Sequence, residues 1–498
     1  MASSSGMGDY CAFYPVSVNH VRLIAIESLH YGGQYFHLVL IMSPITALAA
    51  QLSHPLRPVV ATCFALGGLL MAAPASAISY GVYDSRALAM GGAATAIGTH
   101  AQAAFYNPAL LAFHNREEEE GRDGRVYLPS LIVQVSDGAQ DAVDAVEDEL
   151  DIQLSNAVNQ FNSAPLQTSA GLVRDVATDL RDLLDDISDD DLSVDSFVGI
   201  NISEPSNGEG GSFYVGSRVI AGGVANVSDE DRALLEDYIE SMGRVAAGED
   251  PGSVAADYPQ LIDTNGQLID PTETLTSNAD VNALVISEWG MAMAKQFEWF
   301  GQAVAIGVTP KLMRVDAFRD TADFNDNLGS VDEAEDEFKD TQETHLAFNA
   351  DFGIATTLAE HYRISLTVKD AFKKTFSTKQ QPDSITGETP ERDITLSSRA
   401  RMGLGYVGEN FTLGLDYDLS ESTPMAEEAG IQELSLGAEY RLFDSLALRV
   451  GYRNDQTGLR DNLISSGIGY RWKRFVIDAA YASGGDYRGG GLQMGWTF

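Results

Sequence analysis

From Thr344 to Phe498 the chain repeats one pattern, a strict alternation of apolar and polar residues. Phe411, Leu413, Leu415, Tyr417 and Leu419 alternate with Thr412, Gly414, Asp416 and Asp418. Tyr362, Ile364, Leu366 and Val368 alternate with Arg363, Ser365, Thr367 and Lys369, and two further stretches at 433–440 and 446–453 do the same. Successive side chains of a strand point to opposite faces, so each stretch has one apolar and one polar face. Each is about the length a tilted strand needs to cross a bilayer, roughly 9–11 residues. A soluble sandwich would alternate too. Here the apolar faces are rich in Tyr, Phe and Leu, as a lipid-facing band with aromatic girdles is, and the polar faces carry charge and glycine, as a wet lumen would. The last strand alternates Leu492, Met494, Trp496 and Phe498 with Gln493, Gly495 and Thr497.

Fourteen strands are readable, from 125–136 to 488–498, including 361–374, 393–406 and 410–421. An even number is what single-chain bacterial barrels have. Tight connections at 298–300, 358–360, 407–409, 443–444 and 473 alternate with longer ones. Barrels keep short turns on the periplasmic side and long loops outside. The fold class expected is therefore all-β, a transmembrane antiparallel β-barrel of about fourteen strands. Two stretches interrupt it with helical spacing, near 139–191 and 226–280. Leu154 and Phe161, then Leu172, Val176, Leu180, Leu183 and Ile187, fall on apolar faces opposite acidic ones. Ser228 followed by Asp231 predicts a capping box. By strand parity both inserts face outward, where acidic helices read as a solvated face over a small packed core, with a docking surface for a protein partner as the alternative.

The front of the chain reads as processing signal. Arg57, the apolar run Val59–Ala73 and the small residues Pro74-Ala75-Ser76-Ala77 are the parts of a secretory signal peptide. Residues 42–77 are expected to be that signal, cleaved near Ala77, and 1–41 an over-long start ahead of Met42. Both cysteines, Cys11 and Cys63, would leave with it, and thiol chemistry with them. A formal charge of −40, from 32 Lys+Arg against 72 Asp+Glu, argues against a nucleic-acid partner, because phosphate binding needs clustered Lys and Arg. The 44% apolar content excludes wholesale disorder.

No catalytic set emerges, and the expectation is that the protein is not an enzyme. Gly403-Leu404-Gly405-Tyr406-Val407-Gly408 fits G-x-G-x-x-G but lies within a strand rather than opening a helix. His100, His114, His345 and His361 are scattered. The acidic stretch from Asp323 to Gly329 lacks the sixth-place glycine and twelfth-place Glu of a calcium loop. Catalytic, cofactor and metal residues are all expected to be none.

Between signal and first strand stand Ser85-Arg86-Ala87-Leu88-Ala89-Met90-Gly91-Gly92-Ala93 and Ala104-Phe105-Tyr106-Asn107-Pro108-Ala109. This stretch resembles the N-terminal region of the FadL-like superfamily of fourteen-stranded outer-membrane proteins. The later chain is similar to one branch, the conjugal transfer TraF-like proteins, through Ser287-Glu288-Trp289-Gly290, Gly307-Val308-Thr309-Pro310-Lys311-Leu312, Asn349-Ala350-Asp351-Phe352-Gly353 and Gly437-Ala438-Glu439-Tyr440. The resemblance implies a plug over 78–124 carrying the motif Asn107, Pro108 and Ala109, inside a barrel over 125–498. It implies outer-membrane lipid and the barrel assembly machinery as partners, with Trp496 and Phe498 as the assembly signal. It also implies a structural or assembly role, in conjugal transfer or a related surface system. The alternative is transport of hydrophobic compounds, as FadL-type members carry out, with a hydrophobic ligand.

One register follows from the residues alone. If Val407 pairs with Asn410, Arg401 falls opposite Asp416 and Arg399 opposite Asp418, giving two charge pairs on the inner face.

Overall fold

A computed structural model describes residues 78–113, 125–140, 150–189, 192–206, 208–323, 339–379, 393–422, 425, 430–443, 445–485 and 487–498. It also describes two short ribbons near the start, Val16–Val18 with Val21–Leu23 and His30–Tyr31 with Gln34–Tyr35. The expected signal segment 42–77, and all but those ribbons of 1–41, lie outside the described residues.

The wall is a closed antiparallel barrel of fourteen strands whose order follows the sequence. The strands are β1 Arg125–Ser136, β2 Leu192–Ser206, β3 Glu209–Asn226, β4 Asn278–Trp299, β5 Gln302–Asp323, β6 Glu343–Leu358 and β7 Tyr362–Lys369. They continue as β8 Arg399–Val407, β9 Phe411–Asp418, β10 Glu433–Leu442, β11 Leu446–Asp455, β12 Leu463–Trp472, β13 Phe475–Gly484 and β14 Tyr487–Thr497. β14 pairs with β1 to close the ring. The register jumps between Tyr127 and Ser130 against both neighbours, at Pro129, which has no N–H to give a ladder.

Alternation translates directly into inside and outside. In β14, Leu492 and Met494 are half exposed while Gln493 is 2% exposed. The short β13–β14 connection lies at one end of the barrel. The tight connections at 298–300, 358–360, 407–409, 443–444 and 473 all fall at the other, the end at which β1 begins and β14 stops. There Tyr362, Tyr440, Tyr470, Trp472, Phe475 and Trp496 stand outward and exposed, an aromatic girdle at a membrane–water boundary. No described helix is long and apolar enough to cross a membrane.

Two expected strands are shorter than read. β7 ends at Lys369 rather than 374, and β8 begins at Arg399 rather than 393. Asp370 takes φ +51, a conformation that ends a strand, and its N–H donates to Asp351 Oδ1 at 2.8 Å. Lys374–Phe376 then pairs with Ile394–Leu396 as a ribbon separate from the barrel sheet.

The two long inserts share one hydrophobic core. Helices α3 Leu150–Ser163 and α4 Gln167–Asp189 come from the β1–β2 connection, α5 Asp229–Ala246 and α6 Pro251–Asp257 from the β3–β4 connection. Leu154, Val173, Leu180 and Leu184 pack with Leu235, Tyr238, Met242 and Val254. The helical phase differs from the expected face. Leu172 is exposed and Val173 buried, and Leu184 is buried more deeply than Leu183. Ser228 Oγ caps α5 by accepting from Asp231 N at 3.0 Å. The reciprocal half of the capping box is replaced: Asp231 accepts from Thr276 N and Ser277 N, and Ser228 N donates to Ser277 Oγ.

Candidate functional site

The lumen is where the chain's chemistry converges, and an N-terminal segment, Ile78–Phe113, occupies it. Its ordered pieces are short: α1 Ser85–Ala89, α2 Ala103–Tyr106 and a 3₁₀ turn Pro108–Ala112. Neither helix is long enough to stand alone in water. They persist because the wall surrounds them; nearly every residue from Ile78 to Ala112 is buried.

Asn107 sets the local path. Its Oδ1 accepts from Ala109 N at 3.0 Å and its Nδ2 donates to Thr95 O at 2.9 Å. Pro108 follows at the first helical position, where a missing N–H costs nothing. The motif lies on Gly353 and Gly307, which face each other across β6 and β5. A Cβ on Gly353 would overlap Asn107 Oδ1, and one on Gly307 would overlap the Pro108–Ala109 backbone. The same close approach recurs along the wall. Gly405, Gly414, Gly437 and Gly451 form a row in direct register across β8 to β11, and Ile97, Met90 and Gly91 lie against it.

Charge holds the segment where glycine makes room. Asp416 accepts from Ala94 N and Thr95 N, both at 2.8 Å. Lys369 Nζ donates to Phe105 O at 2.9 Å and lies 3.8 Å from the centre of the Tyr83 ring. The Arg401 guanidinium sits over the Tyr80 ring at 4.1 Å. Arg86, on α1, meets Glu439 at 2.8 Å. Arg218 bridges Asp195 and the Ser79 carbonyl. Lys311 lies 2.7–3.1 Å from carboxylates of Asp370, Glu288 and Asp351. These groups are buried ions, each paired or hydrogen-bonded as burial of charge demands.

The expected inner-face residues are all inside, but their pairing is corrected. Val407 faces Thr412, so opposed residues are shifted by two from the expected register and Arg401 faces Asp418. Arg401 Nη2 reaches Asp418 Oδ2 at 2.9 Å and Glu433 Oε2 at 3.0 Å. Arg399 pairs with Asp370 instead of Asp418. Asp416 turns to the segment backbone instead of to Arg401. The turn places Glu409 and Asn410 at its corners, with Gly408 N donating to Phe411 O at 2.9 Å. A slip of two leaves every side chain on its own face, so the hydrophobic pattern could not forbid it. The interior is also not the wet lumen expected, because the segment fills it.

Trp496 and Phe498 are exposed on the outward side of the last strand's end, and Trp496 packs edge-on against Phe475 with ring centres 4.4 Å apart. Sequence reasoning missed the glycine bed, Lys311 and Lys369. Its available signal was the inward glycines recurring at matched positions in neighbouring strands.

The chemistry on offer is recognition of a peptide segment. Among the described residues no group of three His, Cys, Asp or Glu is placed to hold a metal. Two cavities flank the segment: one of about 230 Å³ at the short-turn end and one of about 240 Å³ beside Ser79, Glu433 and Asp455 at the long-loop end.

The profile of the family described as "F plasmid transfer operon, TraF, protein" matches residues 104–418, more than half of the chain. No curated protein matches the sequence. Among solved structures, the Pseudomonas putida toluene transporter TodX is 12% identical, with 85% of this chain and 98% of that one covered and a TM-score of 0.40. The CymD monoaromatic hydrocarbon channel gives 10%, 85%, 99% and 0.41. A Pseudomonas aeruginosa FadL homologue gives 10%, 85%, 99% and 0.42. Likeness at that level says nothing about what this barrel binds.

Proposed function

The chain belongs to the family of F plasmid transfer operon TraF proteins, and on that premise we propose that it is a plugged outer-membrane barrel with a structural or assembly role in conjugal transfer or a related surface system. The observation that carries the reading is the filled lumen: Ile78–Phe113 acts as the plug, seated on glycine and held by paired charge. A barrel whose interior is spent on holding its own segment is suited to presenting surfaces. The outward apolar face with its aromatic girdle supports an outer-membrane address, reached after signal cleavage near Ala77. Trp496 and Phe498 are read as the signal to the assembly machinery. The acidic helices of the insert, joined to the long-loop end, are the surface offered to a protein partner outside the cell. The charge and tight fit of the lumen weigh against the alternative, uptake of hydrophobic compounds.

Deleting the gene tests this. Loss of transfer, or of the surface system encoded beside it, restored by the wild-type copy and also by a copy with the plug cross-linked to the wall, is the expected result. Unchanged transfer together with slower uptake of a hydrophobic compound would replace the assembly role with transport.

A further inference from the structure

A side chain on Gly403, on the inner face of β8, would run into three oxygens. Its Cβ would lie 2.3 Å from Thr95 Oγ1, 2.7 Å from Ser365 Oγ and 2.8 Å from Asp416 Oδ1. Three elements thus meet above one glycine: Thr95 comes from the N-terminal segment, Ser365 from β7 and Asp416 from β9. The ladder fixes the wall's share of this meeting. Ser365 faces Gly403, Gly403 faces Asp416, and Asp416 faces Ser435 on β10, all in direct register.

Thr95, Ser365, Asp416 and Ser435 are each 1% exposed or less. Thr95 Oγ1 stands beside Asp416, yet neither it nor Asp416 Oδ1, Ser365 Oγ or Ser435 Oγ makes a well-formed hydrogen bond. Buried polar atoms are almost always partnered. The other carboxylate oxygen is already taken, since Asp416 Oδ2 accepts from Ala94 N and Thr95 N. Arg401 is drawn elsewhere, to Asp418 and Glu433. A buried carboxylate and three hydroxyls are left with lone pairs to offer, and the glycine leaves them room.

An oxygen-only donor set suits a hard cation. A water could take up the hydrogen bonds, but it would leave the Asp416 charge without a counter-ion, and a buried charge is costly unless paired. A single carboxylate near an arginine is a poor match for a divalent ion, whose affinity follows the charge count of its ligands.

We propose that Thr95, Ser365 and Asp416, with Ser435 beside them, bind a monovalent cation of sodium size that ties the N-terminal segment to β7, β9 and β10. Thr95 is the segment's contribution, so departure of the segment from the lumen breaks the site. The site needs the segment seated in the barrel and nothing of the transfer system, so its failure would leave the assembly reading standing.

The test uses the full purified barrel in non-ionic detergent, freed of sodium by exchange into choline chloride. One readout is sodium NMR line broadening on titration with NaCl. The other is the temperature at which gel mobility changes, in NaCl and in choline chloride of equal ionic strength. Saturable broadening and a higher temperature in sodium are expected. Thr95→Val and Ser365→Ala each remove one oxygen and should weaken sodium binding by about tenfold or more, as loss of even an outer-shell partner does at metal sites. Ser365→Ala decides alone if Thr95→Val fails to assemble. Thr309→Ala, which removes another buried and unpartnered wall hydroxyl, on β5, should leave the sodium response intact. Equal temperatures in the two salts without saturable broadening would mean that water alone bridges the oxygens, and would overturn the proposal. So would an undiminished sodium response in Ser365→Ala, or a response to calcium or magnesium and not to sodium.

Discussion

The N-terminal segment and the helical inserts are the two parts of this molecule that lie outside the sheet, and they are built on opposite terms. The inserts carry long helices of 14, 23 and 18 residues and a core of their own, with Leu154, Leu184 and Leu235 fully buried. The segment has no helix longer than five residues. Its stability is borrowed from the wall, through close approach to Gly307, Gly353 and Gly437 and through wall charges such as Asp416 and Lys369. A piece with its own core tolerates change in the wall. A piece without one is fitted to a single seat.

That contrast can be broken most forcefully at Gly353. Gly353→Leu sets a side chain where Asn107 lies, beyond the about 1–3 kcal/mol of ordinary overpacking. The segment should leave its seat, and channels in planar bilayers should open where the wild type stays closed. The inserts should keep their protease resistance. Glu439→Gln acts next in size. It deprives buried Arg86 and Arg449 of their shared carboxylate, a loss of up to about 3–5 kcal/mol. The temperature at which the barrel's gel mobility changes should fall.

The converse experiment is Leu235→Ala. Truncating this buried side chain costs roughly 2–5 kcal/mol. The loss should appear as faster amide exchange in the inserts alone, with barrel mobility and closure unchanged. The smallest effect is one of pH. Backbone N–H donation from Gln267, then from Asn265, holds the Asp263 carboxyl below its usual value. Stabilisation from a lowered carboxyl is present above the ordinary carboxyl range and lost as pH falls through the lowered value. Acidification should therefore loosen the 263–267 turn, seen by amide exchange, and only slightly because the group is exposed.

Much of the wall was legible in the sequence because one period governs it. Alternation fixed which face of β14 meets lipid, since Leu492 and Gln493 cannot exchange places without exposing the wrong one. What period two cannot see is a slip of two, and the β8–β9 register fell to that degeneracy. Arg401 meets Asp418 in the observed register as readily as it would meet Asp416 in the other. The insert's phase failed for a similar reason, because Leu172 and Val173 are neighbours and the partner helix α5 chose between them. The early end of β7 is a tertiary event, a positive φ at Asp370 sustained by Asp351 across the sheet. Asn107-Pro108-Ala109 was legible as a motif, but its seat was not, because Gly307 and Gly353 are distant in sequence.

Ile78–Phe113 sits in the lumen against the glycine row. A Cβ at Gly414 would lie 3.4 Å from that of Ala93, and one at Gly171 lies 4.0 Å from that of Ala246 in the insert. Both separations are near the spacing a disulfide needs, and the chain's own cysteines are Cys11 and Cys63 alone. The measurement is disulfide formation in Ala93→Cys with Gly414→Cys, read by gel mobility and maleimide labelling of the folded barrel, with Gly171→Cys and Ala246→Cys as the insert's counterpart. A bond is expected in both pairs. If the insert pair closes while the two thiols introduced in place of Ala93 and Gly414 remain reduced and open to maleimide, the segment is not in the lumen and the account is contradicted.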